Sequence, residues 1–298
     1  MIVGLIGIFT NTFNILVLSK QRLQEQSNIV FLALSVADLH FSMTETVLNR
    51  MAQISSRADF NHDGHHYVAG VIGVSLTTMV TITWLVSVIS VERMVAVCFP
   101  FHVSSIFTPN RMKLVILLVY AFIGVMLIPK MGSFYIDCVF EEQLNTTVLA
   151  YFERPWFVDN NWWLFFYYLN FLPPVSSTVP MVTILVGTFP IIIRLKKTQR
   201  VLGIVSTSGK NRVKEMRSVK ISLVICLCMA FSILVPNACL DAYYVLGGES
   251  FHFIILLLIR DFTQLAVQIN ASMNFFVYVA MSSKFSKTYL KLIRCNSA

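Results

Sequence analysis

Apolar residues fall along this chain in seven long runs, at about 1–19, 28–49, 67–91, 113–129, 163–193, 219–246 and 252–281, parted by polar connections. Most reach the ~20 residues that an α-helix needs to cross ~30 Å of hydrocarbon, and the fourth is the shortest. None shows the alternating ten-residue pattern of a membrane β-barrel. The pattern predicts an all-α membrane protein, a seven-transmembrane-helix bundle forming one domain over residues 1–298. The stretch 282–294 is different in kind. Phe285, Tyr289, Leu292 and Ile293 share one helical face, with Lys284, Lys287, Lys291 and Arg294 around the rest. It predicts a short amphipathic eighth helix lying on the membrane lipid.

Composition agrees with that count. Of 298 residues, 56% are hydrophobic and 13% charged, with a mean hydropathy of +0.71, a balance foreign to soluble domains. The formal charge of +8 is not spread as a nucleic-acid surface would need, so no nucleic-acid partner is expected. Basic residues crowd every second connection: Lys20 and Arg22, Arg111 and Lys113, Arg194 to Lys220, and Lys284 to Arg294. Acidic residues fill the others, among them Asp59, Asp63, Asp137, Glu141, Glu153 and Glu249. The positive-inside rule puts the basic connections in the cytoplasm. With seven spans, the amino terminus of this plasma-membrane protein is expected outside and the carboxyl terminus inside. The first run carries its positive charges behind it and has no small-residue cleavage site, so it reads as a span and not as a signal peptide.

Polar residues inside the runs carry the functional information, because each is costly in hydrocarbon unless paired or used. Asp38 lies near the middle of the second run. Asn11 and Asn14 in the first run and Asn270 and Asn274 in the seventh are partners of the right kind. The last two are four residues apart and so lie on one helical face. Asn11, Asp38, Asn270 and Asn274 are therefore expected to form a polar cluster joining three spans. Towards the outer ends, polar positions recur at helical steps: Glu45 and Asn49; Ser75 and Met79; Asn237, Asp241 and Tyr244; Arg260, Gln264 and Gln268. Together they predict a ligand pocket open to the outside. Hydrogen bonding that merely holds the bundle together is the plainer alternative. Glu92 and Arg93 end the third run, and a guanidinium that cannot lose its proton needs a partner, water or a task. Pro129, Pro180, Pro190 and Pro236 are expected to bend their helices, and Pro236 adjoins Asn237 of the expected pocket.

Other signals are modest. Asn145-Thr146-Thr147 is a glycosylation acceptor on an outer connection. Cys295, at the end of the amphipathic stretch, is open to palmitoylation or to life as a plain thiol. Residues 59–64 match the opening of a calcium loop, but Gly70 stands where its last carboxylate is needed. No cofactor motif, metal-ligand set or nucleophile–base pair is present, so an enzyme is not expected.

These features resemble the rhodopsin-type (class A) G-protein-coupled receptors across nearly the whole chain. Asn11, Leu34 with Asp38, Glu92-Arg93-Met94 followed by Ala96-Val97 and Pro100, Pro180, Pro236, and Asn274 to Tyr278 followed by Phe285 fall in the family's order and spacing. Within it, Asn270 to Phe275 and Ser282 to Phe285 are similar to gastropod chemosensory receptors and to invertebrate neuropeptide receptors of the FMRFamide type. The resemblance implies a receptor that passes an extracellular peptide or chemosensory signal to a heterotrimeric G protein. Arg93 would leave Glu92 as the sixth span swings, Phe101 would insert into the G protein, and Asn274 and Tyr278 would take part in the switch. A transporter or ligand-gated channel using the same polar cavity is the alternative, although the repeats and paired broken helices of transporters are absent.

Departures from the family are also legible. Val68 replaces the cysteine that usually pairs with one at Cys138, Leu234 the tryptophan of the sixth span, and Tyr120 that of the fourth. Thr188 replaces a tyrosine, Met216 an acidic partner for the arginine, and Phe275 the proline of the seventh span. Ile82 removes a serine that would favour sodium beside Asp38, and Ser75 removes the aspartate that binds amines. With Met94, the changes at Thr188, Met216 and Phe275 lead us to expect a looser resting state than the family's usual one.

Overall fold

The computed structural model describes residues 2–21, 25–55, 62–141, 146–153, 166–172, 174–202, 219–220, 223–232 and 252–295. Its helices are α1 (Ile2–Lys20), α2 (Gln26–Ser55), α3 (His62–Cys98), the single turn α4 (Val103–Ile106) and α5 (Pro109–Ser133). After two strands come α6 (Val179–Leu202), α7 (Leu223–Ser232), α8 (His252–Met281) and α9 (Ser283–Cys295). Five segments are long and apolar enough to cross a membrane: α1, Gln26–Val47, Gly73–Cys98, Pro109–Pro129 and Pro174–Arg194. Asp261–Ala280 of α8 meets the same test when joined to Lys284–Ile293 of α9, and the two axes stand at 96°. A helix turned through a right angle at the end of a span lies along the membrane face, which suits the amphipathic pattern of α9.

The strands β1 (Phe134–Glu141) and β2 (Thr146–Glu153) form an antiparallel hairpin, paired from Phe134 with Glu153 to Glu141 with Thr146. The sequence reading does not include this element. Its residues are rich in aromatic and β-branched types that suit a strand, but they follow directly on α5 without a change in hydropathy.

Buried side chains line the contacts among α1, α2, α3, α6 and α8. Leu34, Phe41, Ile82, Leu85, Ile89 and Ile184 are among the largest fully enclosed ones. Leu117, Val125, Ile128 and Phe189 face outwards, as a bilayer permits. Between helices the packing is set by small residues, because lipid gives no hydrophobic drive for association and close approach must supply the contacts. A Cβ at Gly7 would press on the Ser42 side chain and lie 2.9 Å from Ser272 Oγ. One at Gly187 would run into Ser90 Oγ and lie 3.1 Å from the Ser90 carbonyl oxygen. The same Ser90 hydroxyl donates to the Ile184 carbonyl at 3.1 Å, closing α3 on α6.

The prolines behave in two ways. Pro129 and Pro190 lie inside α5 and α6, whereas Pro180 is the second residue of α6. The span Pro174–Arg194 runs through it without a break, and the π-helical turn just before it accommodates the missing N–H. Two π-helical turns, Phe166–Phe171 and Pro174–Thr178, precede it. The second leaves a carbonyl for a side chain, and Trp84 Nε1 donates to Val175 O at 2.9 Å. Pro236 lies outside the described residues.

Gly187→Ala should destabilise the protein by about 1–3 kcal/mol, because the added methyl overpacks against Ser90 backbone. Gly124→Ala, where a Cβ meets nothing within 4 Å, should stabilise by about 0.5–1 kcal/mol through helix propensity. Thermal unfolding in mild detergent distinguishes the two signs.

Candidate functional site

Halfway along α2, Asp38 is fully buried. Asn274 Nδ2 of α8 donates to its Oδ2 at 2.7 Å. Asn11 Nδ2 bridges its own Gly7 carbonyl at 3.0 Å and the Ala271 carbonyl of α8 at 3.1 Å, and Asn14 Nδ2 donates to Asn11 Oδ1 at 3.1 Å. Helices α1, α2 and α8 are thus tied by buried amides and one carboxyl group. Asn270 does not join them. Its amide reaches Met229 Sδ of α7 at 3.4 Å, because four residues on a helix overshoot a full turn by ~40°. That angle is enough to turn it to the next helix. Among the described residues, Asp38 Oδ1 and Asn14 Oδ1 have no hydrogen-bond partner.

At the other end of α3, Glu92 and Arg93 are both buried and their Oε2 and Nε atoms lie 3.1 Å apart. Two residues of α2, one helical turn apart, hold the pair. Ser27 Oγ donates to Glu92 Oε1 at 3.3 Å, and the Arg93 guanidinium carbon sits 5.7 Å from the Phe31 ring centroid, within cation–π range. The other side of the link is Tyr278 of α8, whose ring lies 5.3 Å from Phe31 and 5.5 Å from Phe285. Phe31 is therefore shared by the arginine of α3 and the tyrosine of α8. Neither Ser27 nor Phe31 was singled out from sequence. Their signal was a hydroxyl and an aromatic four residues apart, at the inner end of the span facing Glu92.

Pro100 and Phe101 lie in the turn after α3, where Phe101 is 93% exposed. An apolar ring presented this fully, eight residues beyond a buried arginine, is a ready contact for another protein. Phe275 is not slack in the place of the family's proline. It packs against Phe276, Phe285 and Tyr289 at 5.6, 6.0 and 5.3 Å, and against Phe13 of α1 at 6.3 Å. The Thr188 hydroxyl is spent on its own helix, donating to Ile184 O at 2.8 Å, and Tyr278 Oη has no hydrogen-bond partner among the described residues.

In the outer half, Ser75 Oγ of α3 donates to Glu45 Oε1 of α2. Met79 and Gln264 are half-buried. Gln268 is buried beside Gly4 and so lies at the contact of α8 with α1. Asn49 and Arg260 belong to α2 and α8, but their side chains lie outside the described set, as does that of Cys295 at the end of α9. Asn237, Asp241, Tyr244, Asn145, Leu234 and Met216 are likewise outside the described residues.

Comparison with known proteins fits this arrangement. The chain matches the 7 transmembrane receptor (rhodopsin family) over residues 11–278, from the asparagine of α1 to the tyrosine of α8, and it belongs to that family. It is a multi-pass membrane protein, and members of the family are receptors and not enzymes. It is also similar to an FMRFamide receptor of Drosophila melanogaster, at 21% identity over 299 residues that cover 97% of this chain and 52% of the receptor. The chain spans about half the length of the curated relative it matches.

Removing either member of the Asp38–Asn274 pair should cost about 1–3 kcal/mol, since the other is left buried and unsatisfied. The double variant Asp38→Ala with Asn274→Ala should cost less than the sum by about 0.5–3 kcal/mol. A double-mutant cycle on detergent melting curves measures that difference, and additivity would deny the pair.

Proposed function

We propose that this chain carries an extracellular peptide signal across the plasma membrane to a heterotrimeric G protein, with its amino terminus outside and its carboxyl terminus in the cytoplasm. The observation that carries the proposal is the buried Glu92–Arg93 pair at the end of α3, followed by the exposed Phe101. In the resting state Arg93 is engaged by Glu92 and Phe31. An agonist that prefers the other state shifts the population by that difference in affinity and nothing else. Arg93 then leaves Glu92 and, with Pro100 and Phe101, meets the G protein, while Asn274 and Tyr278 of α8 change partners above it.

The ligand pocket lies towards the other face, among Glu45, Asn49, Ser75, Met79, Asn237, Asp241, Tyr244, Arg260, Gln264 and Gln268. The likeness to an FMRFamide receptor supports a peptide over a waterborne chemical. Asn145 would carry a glycan outside, and Cys295 a palmitoyl chain within.

Nucleotide exchange on membranes carrying this chain and added G protein, screened with FMRFamide and related amidated peptides, tests the proposal. A saturable rise is expected, falling about tenfold or more in Arg93→Ala, the scale of one charge-assisted hydrogen bond. An evoked response unchanged by Arg93→Ala, or a peptide-gated current that persists without G protein, would overturn it.

A further inference from the structure

A cavity of about 470 Å³ lies between α3, α5 and α6. Helix α3 lines it with Trp84, Ser87 and Val91, and α5 with Val115, Leu118 and Phe122. All belong to segments long and apolar enough to cross a membrane, and Leu118 is 57% exposed, so the open side faces the bilayer. The polar groups on its walls are already spent. Ser87 Oγ donates to Trp84 O at 2.7 Å, Thr183 Oγ1 to Val179 O at 2.8 Å, and the Trp84 indole to Val175 O at 2.9 Å. What remains is an apolar wall that asks nothing of its occupant but hydrocarbon, in a volume of the ~300–1,000 Å³ class of ligand sites.

One end of the cavity carries charge. Arg111, Val115, Leu118 and Phe122 follow at steps of four, three and four, so Arg111 stands on the cavity-facing stripe of α5. It is exposed, and its Nη1 donates to the Ser105 and Ile106 carbonyls, which fixes the guanidinium at the start of the helix. A guanidinium has five donors in a planar fork suited to phosphate.

We infer that this cavity holds one acyl chain of an anionic phospholipid, with its phosphate against Arg111. The lipid touches α3 at Val91, next to the Glu92–Arg93 pair, and so bears on the proposed switch. That this lipid belongs to the cytoplasmic leaflet rests on the orientation proposed above. The binding itself does not, since symmetric vesicles offer the same lipid to both faces.

Wild type, Arg111→Gln, Leu118→Trp and the lipid-facing control Leu117→Trp would be reconstituted in vesicles of phosphatidylcholine, phosphatidylserine and cholesterol. Each is then extracted in mild detergent and its retained lipid counted by native mass spectrometry. Wild type and Leu117→Trp should keep one phosphatidylserine in several-fold excess over phosphatidylcholine. Leu118→Trp should lose it, and Arg111→Gln should lose the headgroup preference. Equal retention in wild type and Arg111→Gln would overturn the inference, as would cholesterol retained in place of phospholipid. Should Leu118→Trp melt early, Arg111→Gln decides alone. The readout involves no signalling, so its failure and that of the receptor proposal are separate.

Discussion

An arginine buried at the border of a membrane-spanning helix cannot shed its charge, and much of the inner half of this bundle is arranged around that fact. Arg93 has a carboxylate beside it in Glu92, a ring over it in Phe31, and no other way to be compensated within the described contacts. Breaking a buried pair on one side costs about 3–5 kcal/mol, so the partners come and go together. Ser27 fixes Glu92 from α2, and Phe31 passes the contact on to Tyr278 of α8. Further into the membrane, about two turns along α2 and one along α8, the two helices meet again through Asp38 and Asn274. The two helices are thus joined at two depths, by rings in tilted contact below and by a buried hydrogen bond above.

Around that frame, aromatic and small residues divide the work. Phe275 ties the inner end of α8 to α1 and α9 through Phe13, Phe285 and Tyr289. A phenylalanine keeps the backbone N–H that proline would remove, so α8 keeps its ladder and gains an anchor. Gly7 and Gly187 let neighbouring helices close to the point where a methyl would collide. Phe275, which with Met94, Thr188 and Met216 led us to expect a looser resting state, is itself closely packed. Beyond Glu92, the arginine's hold comes from α2.

The Asp38–Asn274 and Glu92–Arg93 pairs were legible because charge and amide groups in hydrocarbon are rare and must find one another. Ser27 and Phe31 were not, since a serine and a phenylalanine at a helix end are ordinary until the fold sets them against Glu92 and Arg93. Asn270 was misplaced for a similar reason. Helical spacing gives the face but not which of two neighbours that face meets. The β1–β2 hairpin was hidden because its apolar strands continue the hydropathy of α5, and the cavity beside α3 because its lining is indistinguishable from any lipid-facing surface. The outer pocket residues were chosen by the same logic as Asp38, and of them Glu45 and Ser75 are brought together.

In the proposed resting state α2 restrains Arg93 through Phe31 and Ser27. Ligand-free nucleotide exchange, measured with excess G protein on membranes of matched receptor density, tests it most directly. Phe31→Ala combined with Ser27→Ala should raise the basal rate several-fold, as the resting state loses two holds about 0.5–1 kcal/mol each in scale. A basal rate equal to wild type, in a variant that still reaches the surface and still responds to agonist, would contradict it.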